Sequence, residues 1–219
     1  MYATAQLIGG RTTQCDATAV RTIDRARCYA LLDGIGDSPM VRQWVRRTAR
    51  RLARSAAYRG TAEGGLRAVH AAVAGAECKA VAVVAVAVPG QPLEVAWCGD
   101  ARAYLHAPGG PLRRLTKDHN LRAVLLDEGV EPGPYSRNTV TSYLGDDAPD
   151  APIGVVRAPC RGRLLLVSDG AYEPVEDTGR SIAEFLDGSP RQAAYALTRA
   201  AVQRAHGRPD NATTLVADL

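Results

Sequence analysis

Two periods divide the chain into elements, one of short apolar or alternating runs and one of helical spacing. Residues 2–8 and 27–32 have strand character, with a polar turn region between them that carries Arg11 and Asp16. Over residues 39–58 the apolar side chains recur at Val41, Trp44, Val45, Thr48 and Leu52, the spacing of one helical face. Arg42, Arg46, Arg47, Arg50, Arg51 and Arg54 fill the other faces. Ser38-Pro39 supplies a helix cap and a first residue already bent for a helix. An Ala-rich second helix is predicted over 61–75. Residues 79–88 and 93–98 are β-rich runs joined by Pro89-Gly90-Gln91-Pro92, a hairpin connection, and 101–106 follows as a third. Thr116 opens a predicted helix that runs to about Glu128 and ends at Gly129. The Pro- and Gly-rich stretch 130–151 is the expected mobile segment, ordered only over 138–144. Strands are predicted at 153–158 and 163–168, helices at 179–187 and 190–205, and a last strand at 212–217.

Runs of strands interrupted by pairs of helices point to an α+β class with largely antiparallel sheets rather than a doubly wound parallel sheet. There is no Gly-x-Gly-x-x-Gly and no Gly-x-x-x-x-Gly-Lys-Ser/Thr, so neither a dinucleotide fold nor a phosphate-binding loop of that kind is indicated. At 219 residues the chain is long enough for a full core, and one domain over 1–219 is the simplest count. The net charge of +4 rests almost wholly on arginine, with Lys only at 79 and 117, and favours anionic partners weakly. The five cysteines, at 15, 28, 78, 98 and 160, are odd in number and scattered, and read as reduced thiols of a cytoplasmic protein. The N-terminus lacks the pattern of a signal peptide, and the longest apolar run, 80–88, is too short to span a bilayer, so no membrane association is expected. The arginines of 39–58 surround their helix without interleaved aromatics, which reads as a solvated outer face and not as a nucleic-acid surface.

The chemistry lies in four aspartates far apart in sequence. Asp33-Gly34 and Asp169-Gly170 each end an apolar run, Asp210-Asn211 precedes the last strand, and Asp16 sits in the polar region near the start. A single such dipeptide is an ordinary turn. Together, at the ends of strands that meet at a sheet rim, they suit a hard divalent cation that wants oxygen ligands, with the glycine letting the chain turn sharply and freeing a carbonyl.

The ordered set Arg11-Thr-Thr-Gln-Cys-Asp16, Leu32-Asp33-Gly34, Cys98-Gly99-Asp100-Ala-Arg102, Leu115-Thr-Lys-Asp118-His119, Leu144-Gly145, Ser168-Asp169-Gly170 and Pro209-Asp210-Asn211 resembles the metal-dependent Ser/Thr phosphatases of the protein phosphatase 2C family in their compact bacterial form. The resemblance implies a four-layer α-β-β-α sandwich with two central, mainly antiparallel sheets. It implies two Mn2+ or Mg2+ ions, and hydrolysis of phosphoserine or phosphothreonine in proteins by a metal-bridged hydroxide. Asp33 would bridge the cations, Asp169 and Asp210 would complete the first shell, and the Gly34 carbonyl would serve the second metal. Asp16 would act on the second metal directly or through water. Arg11 would grip the substrate phosphate, a task suited to a planar bidentate guanidinium. A third ion is suggested at Asp118 and Glu173. His119 is a packing or helix-start residue rather than an acid. A phosphoprotein substrate made by a Ser/Thr kinase, and a monomeric state, would follow.

Departures from the family pattern fall near the second metal. Gln14 and Cys15 stand where the family has Asn-Glu, and a thiol in place of a carboxylate removes a hard oxygen donor there. Ile35 occupies a position where some relatives place a proton-donating His. Ala101 and Arg163 also differ from the usual residues and look structural. The segment 130–151 matches the family's substrate-screening flap and is short. The competing reading is a degenerate member that binds and regulates a phosphoprotein without turnover.

Overall fold

The computed structural model describes residues 1–148 and 151–219, so the last part of the expected flap, at 149–150, lies outside the described residues. Among the described residues, ten strands form two five-stranded antiparallel sheets. The first contains β1 (Tyr2–Leu7), β6 (Arg102–His106), β7 (Leu112–Arg114), β9 (Arg163–Val167) and β10 (Ala212–Asp218), in the order β1-β10-β9-β6-β7. The second contains β2 (Asp16–Ile23), β3 (Ala26–Ile35), β4 (Lys79–Ala87), β5 (Leu93–Cys98) and β8 (Gly154–Ala158), in the order β2-β3-β4-β5-β8.

Strand periodicity builds the layers. In β3, Cys28, Ala30 and Leu32 face one way and pack with α1 (Pro39–Arg59) and α2 (Ala62–Val73), whereas Tyr29 and Leu31 face the other sheet. In β9, Leu164 and Leu166 point between the sheets, and Leu165 and Val167 point at α4 (Asp169–Asp177) and α5 (Pro190–Arg204). The result is three apolar clusters and four layers, helices over sheet over sheet over helices. This is the α-β-β-α sandwich that the sequence resemblance implied.

Helix α1 starts where expected: the Ser38 side chain accepts from the Val41 N–H, Pro39 follows, and Gly60 closes the helix in the left-handed region. Other elements differ from expectation. The polar region after Arg11 contains β2, an edge strand whose pattern Asp-Ala-Thr-Ala-Val-Arg-Thr-Ile is polar enough to read as turn. The helix after Thr116 starts only at α3 (Leu121–Asp127), capped by the Asn120 side chain. The expected helix at 179–187 is a single 3-10 turn, Ile182–Phe185. Asp169-Gly170, read as a turn, begins α4. The stretch after α3 is tied down by bridges Asn120 to Val140 and Ala80 to Leu144, the latter fully buried, and both fall in the 138–144 part expected to be ordered. No helix is long and apolar enough to cross a membrane among the described residues.

Candidate metal centre

The antiparallel register sets Asp16 directly opposite Asp33 in the β2-β3 pair, and both side chains share the inter-sheet face with Tyr29 and Leu31. From the facing sheet, Asp169 arrives at the end of β9 and Asp210 just before β10. A cavity of about 500 Å³ collects Arg11, Asp33, Gly34, Ile35, Asp100, Asp169, Glu173 and Asp210 at this rim. Sequence positions separated by most of the chain are therefore neighbours, and Arg11, Asp33, Gly34, Asp169 and Asp210 lie together as expected.

The glycines act differently from the sequence expectation. Gly34 lies inside β3, paired with Ala80, and does not turn the chain. A Cβ there would come 2.7 Å from Val41 Cγ1 and 2.8 Å from the Cys15 carbonyl oxygen. A Cβ on Gly170 would come 2.2 Å from the Asn211 carbonyl oxygen. Gly34 thus lets α1 and the start of β2 close on β3, and Gly170 lets the turn after β9 close on the chain entering β10, which seats each aspartate within its own sheet.

Asp16 stands behind the cavity wall. It is 3 % exposed, its Oδ2 accepts from Ser168 Oγ at 3.0 Å, and its Oδ1 has no partner. Ser168 in turn accepts from the Thr213 N–H at 3.0 Å, so the hydroxyl links the two sheets at the carboxylate. Burial raises the Asp16 carboxyl to about 7, with Asp169 adding repulsion. Burial also lifts Asp33 well above the usual range, reinforced by Asp16, Asp169, Asp100 and Asp210. Asp169 is raised by burial and then by Asp210. Arg11 answers part of this charge, donating from Nη2 to Asp210 Oδ2 at 2.5 Å.

Cys15 does not face the cavity. It is 1 % exposed, belongs to the cluster beneath α1, and its Sγ lies 3.7 Å from the Ser38 carbonyl oxygen. One residue of alternation separates it from Asp16, so the thiol enters the helix layer while the carboxylate enters the sheet interface. Burial raises its pKa, as for a packed thiol.

Asp118 is not brought to the cluster. Arg102 grips it bidentately, at 3.0 Å from Nε and 2.8 Å from Nη2, and Arg114 pairs with it too. It lines an adjoining hollow with Lys117, Asp127 and Glu173, the last of which borders the aspartate cavity as well. The acid that reaches the cavity is Asp100, 6 % exposed and raised to about 7 by burial and then by Asp169. Sequence reasoning quoted Asp100 within Cys98-Gly99-Asp100 but gave it no role; its place at the end of a strand-like run, followed closely by Arg102, was the available signal. Glu173 also lines the cavity, pushed up to about 8 by burial and by Asp169. His119 stacks on Trp97 with centroids 5.8 Å apart and sits outside the cavity, a packing residue. Arg163 holds Asp218 across two strands, a structural role.

This donor set fits hard divalent cations. It offers carboxylate oxygens in excess of cationic side chains, one of them orphaned, and several raised above the usual carboxylate range by burial and then by mutual repulsion, which a cation would relieve. Among the described residues no three His, Cys, Asp or Glu side chains converge as a finished ligand shell, since Asp210 turns to Arg11 and Asp16 to Ser168.

The family model described as Protein phosphatase 2C matches residues 40–124. Among solved structures, the PPM Ser-Thr phosphatase MsPP of Mycobacterium smegmatis, in complex with cacodylate, superposes with a TM-score of 0.81 at 26 % identity, covering 100 % of this chain and 98 % of that one. The chain is thus similar to the protein phosphatase 2C family, over part of its sequence and over its whole fold. The Mycobacterium tuberculosis serine/threonine phosphatase PstP/Ppp gives a TM-score of 0.79 at 26 % identity, with 100 % and 98 % covered. The catalytic domain of PstP in complex with two manganese ions gives 0.73 at 26 %, with 100 % and 97 % covered. A comparison with curated protein sequences gives no match. As in these phosphatase 2C relatives, the two sheets pack face to face between helices, and here the aspartates meet at one rim of that interface.

Proposed function

We propose that this phosphatase 2C-like domain hydrolyses phosphoserine and phosphothreonine esters of proteins at a centre for two Mn2+ or Mg2+ ions. The observation that carries the reading is the gathering of Asp33, Asp169 and Asp210 from both sheets into one cavity beside Arg11. Asp33 would bridge the ions, Asp169 and Asp210 would complete the first shell, and the Gly34 carbonyl with Asp16 behind it would serve the second. When bound, two such ions supply neutralisation of the phosphate dianion and a water acidified enough to act as nucleophile near neutral pH. Arg11, partly exposed, would trade Asp210 for a phosphate: with Asp210 engaged by a cation, the guanidinium would have bidentate capacity for two phosphate oxygens. Exposed Ile35 at the cavity mouth contributes an apolar wall and no proton, so the leaving alkoxide would take its proton from water or from another group lining the cavity.

The test is hydrolysis of a phosphopeptide with Mn2+ by wild type and by Asp33→Asn, with Mn2+ binding followed by calorimetry. Wild-type turnover lost in the variant supports the reading, and absence of both turnover and Mn2+ binding in the wild type would sink it. Cys15 favours the second reading, a regulator that binds phosphoproteins without turnover, since its thiol lies in the helix layer and gives the second metal no donor. Turnover itself tells the readings apart; Cys15→Glu sets a carboxylate into the apolar cluster beneath α1, so its Mn2+-dependent rate is read beside its melting temperature. An unchanged rate in an active enzyme shows that the thiol is tolerated.

A further inference from the structure

The outer face of α1 carries Arg42, Arg46, Arg50 and Arg54 as one ridge at four-residue spacing, with Arg47 and Arg51 beside it, all exposed. The helix contains no Asp or Glu at all, and none of these six arginines forms an ion pair among the described residues. Some arginines elsewhere do pair: Arg67 and Arg180 each have an acid at four-residue spacing, and Arg102, Arg137, Arg157 and Arg163 have acids across the fold. Helix α5 also lacks acids but carries only Arg191, Arg199 and Arg204, so the density of the α1 ridge, more than its sign, sets it apart. Like charges four apart work against a helix, and arginine in its first half opposes the helix dipole. The stripe therefore does nothing for the stability of α1.

Its position supplies a use. Gly34 and Gly36 line the aspartate cavity and Val41 in the first turn of α1 packs on both, so the N-terminal end of the ridge is its end beside the cavity. From Arg42 to Arg54 the helix rises roughly 18 Å, a length covered by about five or six residues of extended chain. We infer that α1 is a docking track for an acidic segment of the phosphoprotein whose phosphoryl group enters the cavity, an inference that rests on the phosphatase reading above. The continuity of track and cavity favours a chain that occupies both over a nucleic acid or a lipid surface, either of which would engage the helix alone. An extended acidic segment also matches a straight ridge with carboxylates that can pair bidentately with guanidinium groups.

The experiment compares two phosphoserine peptides of identical core, one extended by a run of glutamates and one by serines, with p-nitrophenyl phosphate as a probe of the cavity alone. Wild type is set beside Arg46→Gln/Arg50→Gln/Arg54→Gln, exposed positions where glutamine keeps the helix. The expected result is a KM for the glutamate peptide about tenfold higher in the triple variant, with the serine peptide, p-nitrophenyl phosphate and kcat unchanged. An unchanged ratio between the two peptides overturns the inference. So does a loss of affinity for a DNA duplex or phosphatidylserine vesicles equal to that for the peptide. If wild type with Mn2+ hydrolyses nothing, the phosphatase reading falls by itself. Anisotropy of the labelled glutamate peptide then decides the docking track: weaker binding by the triple variant supports it, and equal binding overturns it.

Discussion

Gly34 and Gly170 are followed or preceded by aspartate for a reason of distance. Each lies where another backbone passes too near for a side chain, and the aspartates are carried to the rim because the strands can close to that distance. Gly170→Ala is expected to destabilise the fold by roughly 1–3 kcal/mol, since its Cβ meets the rigid Asn211 carbonyl and not a flexible side-chain tip. Urea unfolding measures this, and an unchanged midpoint would refute the steric account. Asn211 also receives the Cys15 N–H at 2.7 Å and donates to the Ile8 carbonyl at 2.9 Å, so the same substitution should loosen Asp210 and weaken Mn2+ binding. The aspartates themselves were legible in the sequence. Which acid serves as neighbour was not: Asp100 and Asp118 both lie beside plausible motifs, and only the fold shows that Arg102 takes Asp118 while Asp100 enters the cavity.

Elements with a complete local signal were readable, and those defined by neighbours were not. Helix α1 has its cap, its proline, its apolar face and its closing glycine within its own residues. Strand β2 has none of these; as an edge strand with one face over polar Gln6 and Thr4, it is a strand because β3 pairs with it. Helix α4 follows an Asp-Gly that reads as a turn and contains Pro174, and it is fixed by burial of Ala171, Tyr172 and Val175 against its sheet. The segment after α3 was expected to be free, yet Arg137 latches it to α4, with 2.8 and 3.0 Å contacts to Asp177 and 3.5 Å to Glu173. These groups are partly exposed, so Arg137→Ala should cost no more than about 1 kcal/mol of global stability. Hydrogen exchange over 130–148 should nevertheless quicken, because the latch is a local tie. Unaltered exchange there would show that the bridges at Val140 and Leu144 suffice alone.

For the whole molecule, the carboxylate cluster is a source of strain that depends on pH. Asp16 and Asp100 are raised from 3.8 to about 7 in the folded chain by burial. The native state therefore binds more protons than the unfolded one between those values, and stability falls as pH rises through that window. The metal-free protein should show a lower melting temperature at pH 7.5 than at pH 5. Mn2+ should remove or reverse that trend by occupying the charge that protons otherwise occupy. Melting curves with chelator and with Mn2+ check both, and a metal-free protein more stable at pH 7.5 would contradict the assignment. The four-layer architecture also divides the centre between the beginning and the end of the polypeptide, with β1 paired to β10 as the final closure. During synthesis Asp33 leaves the ribosome roughly 180 residues before Asp210, an interval of about 10–35 s at ordinary elongation rates. A nascent chain is thus inert for nearly the whole of its translation. A chain broken in the exposed Pro89-Gly90 hairpin would yield two inactive halves whose reunion reports on the proteins fused to them.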